Sequence, residues 1–189
     1  MATSVFAEQG MDTSIEVIAA RAGVGLGTVY RRFANKQALL DELARRLLAD
    51  VVAVAARHVD DPDGTGLAGY FRELGELLAT HRGLMAHLWT VPGAEPVIAR
   101  SRELQGRLLT EAQRHGLARP ELTAEDIAVA CWSLQGVLDT TRGLPVNAWR
   151  RHLEILLAGL APGPRALGNP PLTPRELDTV IRADKIAQR

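Results

Sequence analysis

A single cysteine, Cys131, stands in 189 residues, so no internal disulfide can staple the chain, which suits a reducing compartment. Aromatics are scarce, at 4%, while Ala, Leu and Arg are abundant, a balance that favours helices over sheets. Net charge is absent too: 22 basic residues offset 22 acidic ones. Binding to a polyanion would therefore need a local patch, because the whole-chain charge supplies no attraction. No apolar run approaches the roughly 18 residues that a membrane span needs. The opening "MATSVFAEQG" lacks a basic segment, so no secretion signal is expected and the expected location is cytoplasmic. The histidines His58, His81, His87, His115 and His152 are scattered without ligand-like spacing, so no metal site is expected. Phosphate loops, nucleophile elbows and convincing carboxylate pairs are missing as well. No cofactor and no catalysis are expected; His87 and Asp139 are the least implausible acid–base groups for a helical enzyme.

What remains is helical periodicity. Ala2, Val5 and Phe6 share a face ahead of Gly10, like the end of a helix. Thr13 or Ser14 can cap a helix with Ile15, Ile18, Ala19 and Ala22 on one side, and Gly23 can end it. A short helix over about 26–33 carries Val29 and Phe33, and Asn35 then caps a longer one with Leu39, Leu43, Leu47 and Val51, reaching toward His58. Further helices follow over about 67–81, 83–91 and 95–115. Thr123 with Asp126 forms a capping signature before a strongly apolar run. Pro145 lies near the start of a helix that puts Trp149, Leu153, Leu156, Leu157 and Leu160 on one side, and Pro174 opens a last amphipathic segment. No strand pattern and no repeat occur. The fold class is all-α.

The stretch "AGVGLGTVYRRF" at 22–33 crowds three glycines between two helical segments, although each interior glycine costs a helix about 1 kcal/mol. Two short helices meeting at Gly23 through a tight turn describe a helix-turn-helix. Val24 would plug the small core between them. Gly25 and Gly27 would leave the start of the second helix without bulk, open to close approach by a DNA backbone. Thr28, Tyr30, Arg31 and Arg32 offer hydroxyl and guanidinium donors for phosphates and base edges. Between Val17 and Gln37 the charges are Arg21, Arg31, Arg32 and Lys36, all positive, which is the local patch that the neutral total conceals.

"TSIEVIAARAGVGLGTVYRRFANKQALLDEL" resembles the DNA-binding signature of the TetR family of one-component transcriptional regulators. The resemblance rests on Phe6-Ala7-Glu8, Thr13-Ser14-Ile15, Ala19, Ala22-Gly23-Val24, Gly27-Thr28, Tyr30, Phe33, Lys36 and Leu39-Leu40. It implies a homodimer on a palindromic operator, usually repressing, and released by a small molecule. Carried over, Leu26, Gly27 and Arg31 would face the bases, and Gly25, where relatives often carry a small polar residue, would offer its backbone N–H in place of a side-chain contact. Thr28, Tyr30, Arg32 and Lys36 would hold phosphates. Glu16 occupies a position where some relatives carry a base reader; its carboxylate repels phosphate, and no role is assigned to it. In the family the first helix begins before the position of Met1. The resemblance therefore implies a shortened first helix here, or a start codon further upstream.

The expected organisation is a helix-turn-helix domain over 1–45, a helical ligand-binding and dimerisation domain over 46–161, and a Pro/Gly linker with a C-terminal helix over 162–189. A largely apolar effector would sit between helices, among Phe71, Leu74, Met85, Leu88, Trp89, Leu104, Leu108, Trp132 and Gln135. The helices at about 123–142 and 145–161 would form a four-helix dimer interface, with Ala128, Ala130, Ser133 and Gly136 permitting close approach. Effector binding would tilt the helix after the reader, over about 35–58, and change the reader spacing. The alternative is a module of the same architecture, for ligand binding or protein interaction, that has lost DNA binding.

Overall fold

The computed structural model describes residues 13–88, 91–141 and 148–187, with the side chains of 83, 85, 86 and 181–187 outside that description. The segment over 2–9, Trp89, Pro145 and the Met85 side chain lie outside the described residues.

Local sequence sets the helix ends. Ser14 caps α1 (Ile15–Ala22), its hydroxyl accepting from the Val17 N–H, and Gly23 closes it at φ 65°. The Gly23 and Val24 N–H groups return to the Ala20 and Ala19 carbonyls, at 3.2 and 3.1 Å. Glycine tolerates that left-handed turn without a steric penalty. After α2 (Leu26–Arg32), Asn35 caps α3 (Lys36–His58) by accepting from the Ala38 N–H at 2.9 Å. Then come α4 (Gly66–Thr80), a 3-10 helix (Arg82–His87) and α5 (Glu95–Arg114). At α6 (Ala124–Thr140) the expected capping box is complete: Thr123 and Asp126 each accept from the other's backbone N–H. The series ends with α7 (Ala148–Leu160) and α8 (Pro174–Ala187).

Within α1–α3 a small core forms from Ile15, Ile18, Ala19, Val29, Leu39 and Leu40, all buried; each Ile or Leu there contributes about 1.5–3 kcal/mol of burial. Val24 does not join it. At 43% exposure it faces solvent, because the left-handed turn at Gly23 swings the chain outward before α2 begins, and Val29 fills the space instead.

The larger core lies among α3–α7, around Tyr70, Phe71, Leu74, Leu104, Leu108, Leu134, Leu138 and Trp149. Helices α4 and α7 come very close at one point. A Cβ on Gly75 would collide with Trp149 Cζ3 and crowd Cε3 and Cη2, so any larger residue there would force the helices apart. The linker before α8 is tied down by Arg119, whose guanidinium donates to the carbonyls of Gly159 (2.9 Å) and Arg165 (2.6 Å).

Candidate DNA-binding face and effector cavity

The turn at Gly23 and the cap at Asn35 set the two ends of the loop-bounded helix α2. Gly25, Leu26, Gly27, Thr28, Tyr30, Arg31 and Arg32 are all exposed along α2 and the turn before it, and Lys36 is half-buried at the start of α3. Leu26 and Tyr30 are exposed apolar groups on that face, at 38% and 47%. Nothing inside the chain demands glycine at two of these positions. Gly25 has φ −65°, and a Cβ at Gly27 would meet no atom within 4 Å. Among the described residues, packing leaves room for a side chain at both positions.

Among the described residues no carboxylate pairs with Arg31, Arg32 or Lys36, whereas Arg45, Arg57, Arg114 and Arg150 each hold one, on Glu42, Glu73, Glu111 and Glu76 respectively. The Arg32 guanidinium lies 5.6 Å from the Phe33 ring centre, which orients it beside the reader helix. Glu16 is exposed on α1, and its carboxyl is held below the ordinary range by its backbone N–H and the Ser14 hydroxyl.

An exposed, cationic helix-turn-helix set on a helical body is the architecture that the sequence resembles. The bacterial regulatory proteins of the tetR family match over residues 1–43, and the SbtR-like transcriptional regulator C-terminal domain matches over 61–162. The chain belongs to the TetR family. It is 30% identical over 161 residues to the class A tetracycline repressor of transposon 1721 from Escherichia coli, covering 84% of this chain and 72% of that protein. A TetR transcription regulatory protein from Mycobacterium vanbaalenii superposes with a TM-score of 0.61 at 28% identity, covering 85% of this chain and 90% of that one. A regulator from Streptomyces coelicolor, at 23% identity, shares the fold with a TM-score of 0.63 over 85% and 94% of the two chains. This TetR-family protein is a DNA-binding transcriptional regulator and not an enzyme. No described helix is long and apolar enough to cross a membrane.

Behind the DNA-binding domain, α3–α6 enclose a mostly apolar cavity of about 70 Å³, walled by Leu48, Val51, Leu74, Leu78, Leu88, Ile98, Ala128 and Trp132. Of the effector residues expected from sequence, Leu74, Leu88, Trp132 and Gln135 line it. Phe71, Leu104 and Leu108 sit in the closed core, because the helix rotation that turns Leu74 and Gln105 to the cavity turns them into the α4–α5 packing. Sequence reasoning missed the cavity's polar end, which consists of Tyr70, Ser101, Gln105 and Cys131. The one available signal was Gln105 inside the apolar stripe of α5. A wider hollow of about 740 Å³ lies elsewhere, between Asp60, Arg107, Arg114 and Thr123. It is an open, charged surface feature that would not desolvate an apolar molecule.

Burial controls the chemistry at the polar end. Gln105 Nε2 donates to the Tyr70 hydroxyl at 2.8 Å and to Ser101 Oγ at 3.3 Å. The Cys131 thiol lies 3.8 Å from both Tyr70 Oη and Gln105 Nε2. Desolvation raises the Tyr70 hydroxyl well above its ordinary pKa and pushes the Cys131 thiol up to about 12. Cys131 is therefore a protonated, unreactive thiol at neutral pH. At pH 8 the native protein should be alkylated by iodoacetamide about a thousandfold more slowly than the unfolded chain, given that thiolate fraction; mass spectrometry over time checks this. The sign for stability follows. Both groups favour their neutral forms in the fold, so their contribution is complete below the unfolded pKa values and is lost as pH rises, for Cys131 as it climbs toward 12.

His87 is not a catalytic group. Its Nε2 meets Asp41 Oδ1 at 2.7 Å and Gln37 Nε2 at 3.0 Å, clasping the first turns of α3 to the 3-10 helix that borders the cavity.

Proposed function

We propose that this regulator is a ligand-responsive repressor that binds a palindromic operator as a homodimer and leaves it when a small, largely apolar molecule occupies the α3–α6 cavity. One observation carries the reading. Helix α3 is continuous over 23 residues; it presents Lys36 at the DNA-binding end and Leu48 and Val51 in the cavity wall. Those positions lie about 18 Å apart along one rigid rod. A space of about 70 Å³ holds roughly two waters, so an effector must spread the helices to enter. That supplies the differential affinity between two states without which a ligand shifts nothing. Displacement of α3 would move α2 with it, through Val29, Leu39 and Leu40.

For the dimer, α6 and α7 supply an outward face that includes Val129 and Ile155, at 39% and 58% exposure. A Cβ at Gly136 or Gly159 would meet nothing within 4 Å. Paired across a two-fold axis, these helices make a four-helix interface. It would set the recognition helices at half-sites about 34–36 Å apart, or a multiple of that. Repression carries over from the tetracycline repressor that the chain resembles.

The test is fluorescence anisotropy with DNA flanking the gene, at two salt concentrations. Sequence-specific binding that weakens steeply with salt supports the reading. Absence of binding to every fragment would instead favour a ligand-binding module without DNA affinity.

A further inference from the structure

We propose that the buried amide of Gln105 selects the effector's chemical class: an uncharged molecule with an apolar body and one hydroxyl or carbonyl oxygen at its buried end. The assignment rests on the cavity being the effector site. Gln105 is 7% exposed yet borders the cavity. A buried amide gains stability when both of its poles are hydrogen-bonded, because a pole left without a partner forgoes the bond it made with water. Only one pole is used. Nε2 is engaged by Tyr70 and Ser101, while among the described residues no donor reaches Oε1. If the amide is turned over, Oε1 accepts from Tyr70 and the N–H pole faces the cavity. Either way one neutral pole awaits a partner, and an effector hydroxyl or carbonyl completes it.

Charge is excluded by the remaining walls. No acidic residue lines the cavity, so a buried ammonium would find no counter-ion. Among the described residues Arg102 is the single charged lining residue, and its guanidinium is bound to Asp178 of α8 at 2.9 Å. A carboxylate at the deep end would thus be buried without a cation, which costs far more than burying a neutral oxygen. Tyr70, itself fully buried, holds the amide in place.

Calorimetric titration of the intact protein with phenol, acetophenone, toluene and benzoate separates the possibilities. Phenol and toluene match in shape and differ in the oxygen. In the unmodified protein phenol and acetophenone bind, and benzoate is the weakest of the four. Gln105→Leu keeps the volume but removes both poles, and it should lower the phenol-to-toluene affinity ratio about tenfold. Tyr70→Phe, which keeps the ring and frees the amide, should lower the same ratio by a smaller factor. An unchanged ratio in both variants, or benzoate as the tightest ligand, overturns the assignment while leaving the cavity as the effector site. If none of the four binds, the assignment and the effector-site reading fall together.

Discussion

Tyr30→Ala and Lys36→Ala are expected to weaken operator binding about a hundredfold each, because every substitution removes two contacts per dimer at roughly 1.4 kcal/mol apiece. The loss should be similar on all operator variants, since contacts to phosphate position the protein without reading sequence. For Lys36→Ala the slope of log affinity against log salt should also fall by about two, one counterion per lost phosphate contact. Arg31→Ala should behave differently. If Arg31 reads base edges, as the family resemblance implies, its loss should relax discrimination at one position of each half-site, by about 1–3 kcal/mol. Titration against a set of single-base operator variants distinguishes the two roles, and a uniform loss for Arg31→Ala would reassign it to the phosphates. Gly27→Ala completes the set. In the free chain the added methyl meets open space, and the helix gains up to about 1 kcal/mol. Raised thermal stability with reduced operator affinity would show that this glycine serves the DNA contact rather than the fold.

The second large effect concerns the dimer. Gly136→Arg places a long charged side chain on the outward face of α6, where the single chain has room for it. The chain should fold with its helical content unchanged, sediment as a monomer at micromolar concentration, and lose at least about a hundredfold in operator affinity. That magnitude follows from losing the linkage between two half-site contacts. Retained dimerisation would move the interface to other helices, with α8 and its exposed Val180 the next surface to substitute.

The helix-turn-helix was legible because its determinants are local. Ser14, Gly23 and Asn35 fix helix ends through hydrogen bonds within a few residues, and Thr123 with Asp126 does the same for α6. The reader residues follow one another along a single turn and helix, so their common exposure needs no knowledge of distant contacts. Val24 marks the limit of that reasoning. Its apolar side chain suggested a core role, but the backbone direction after Gly23 decided otherwise.

The cavity could not be read this way. Leu74 and Phe71 share one apolar helix, as do Leu104 and Gln105, and which of each pair faces the gap depends on helix rotations set by packing among α3–α6. Trp149 against Gly75, and His87 against Asp41, join positions far apart in the chain that no periodicity connects. Sequence alone determined the helices, their caps and the exposed helix-turn-helix surface proposed to meet DNA, because short-range hydrogen bonding and spacing suffice for those. Tertiary structure alone decided which buried side chains stay closed in the core and which, like Gln105, turn a polar group toward empty space, because that choice belongs to the joint packing of several helices.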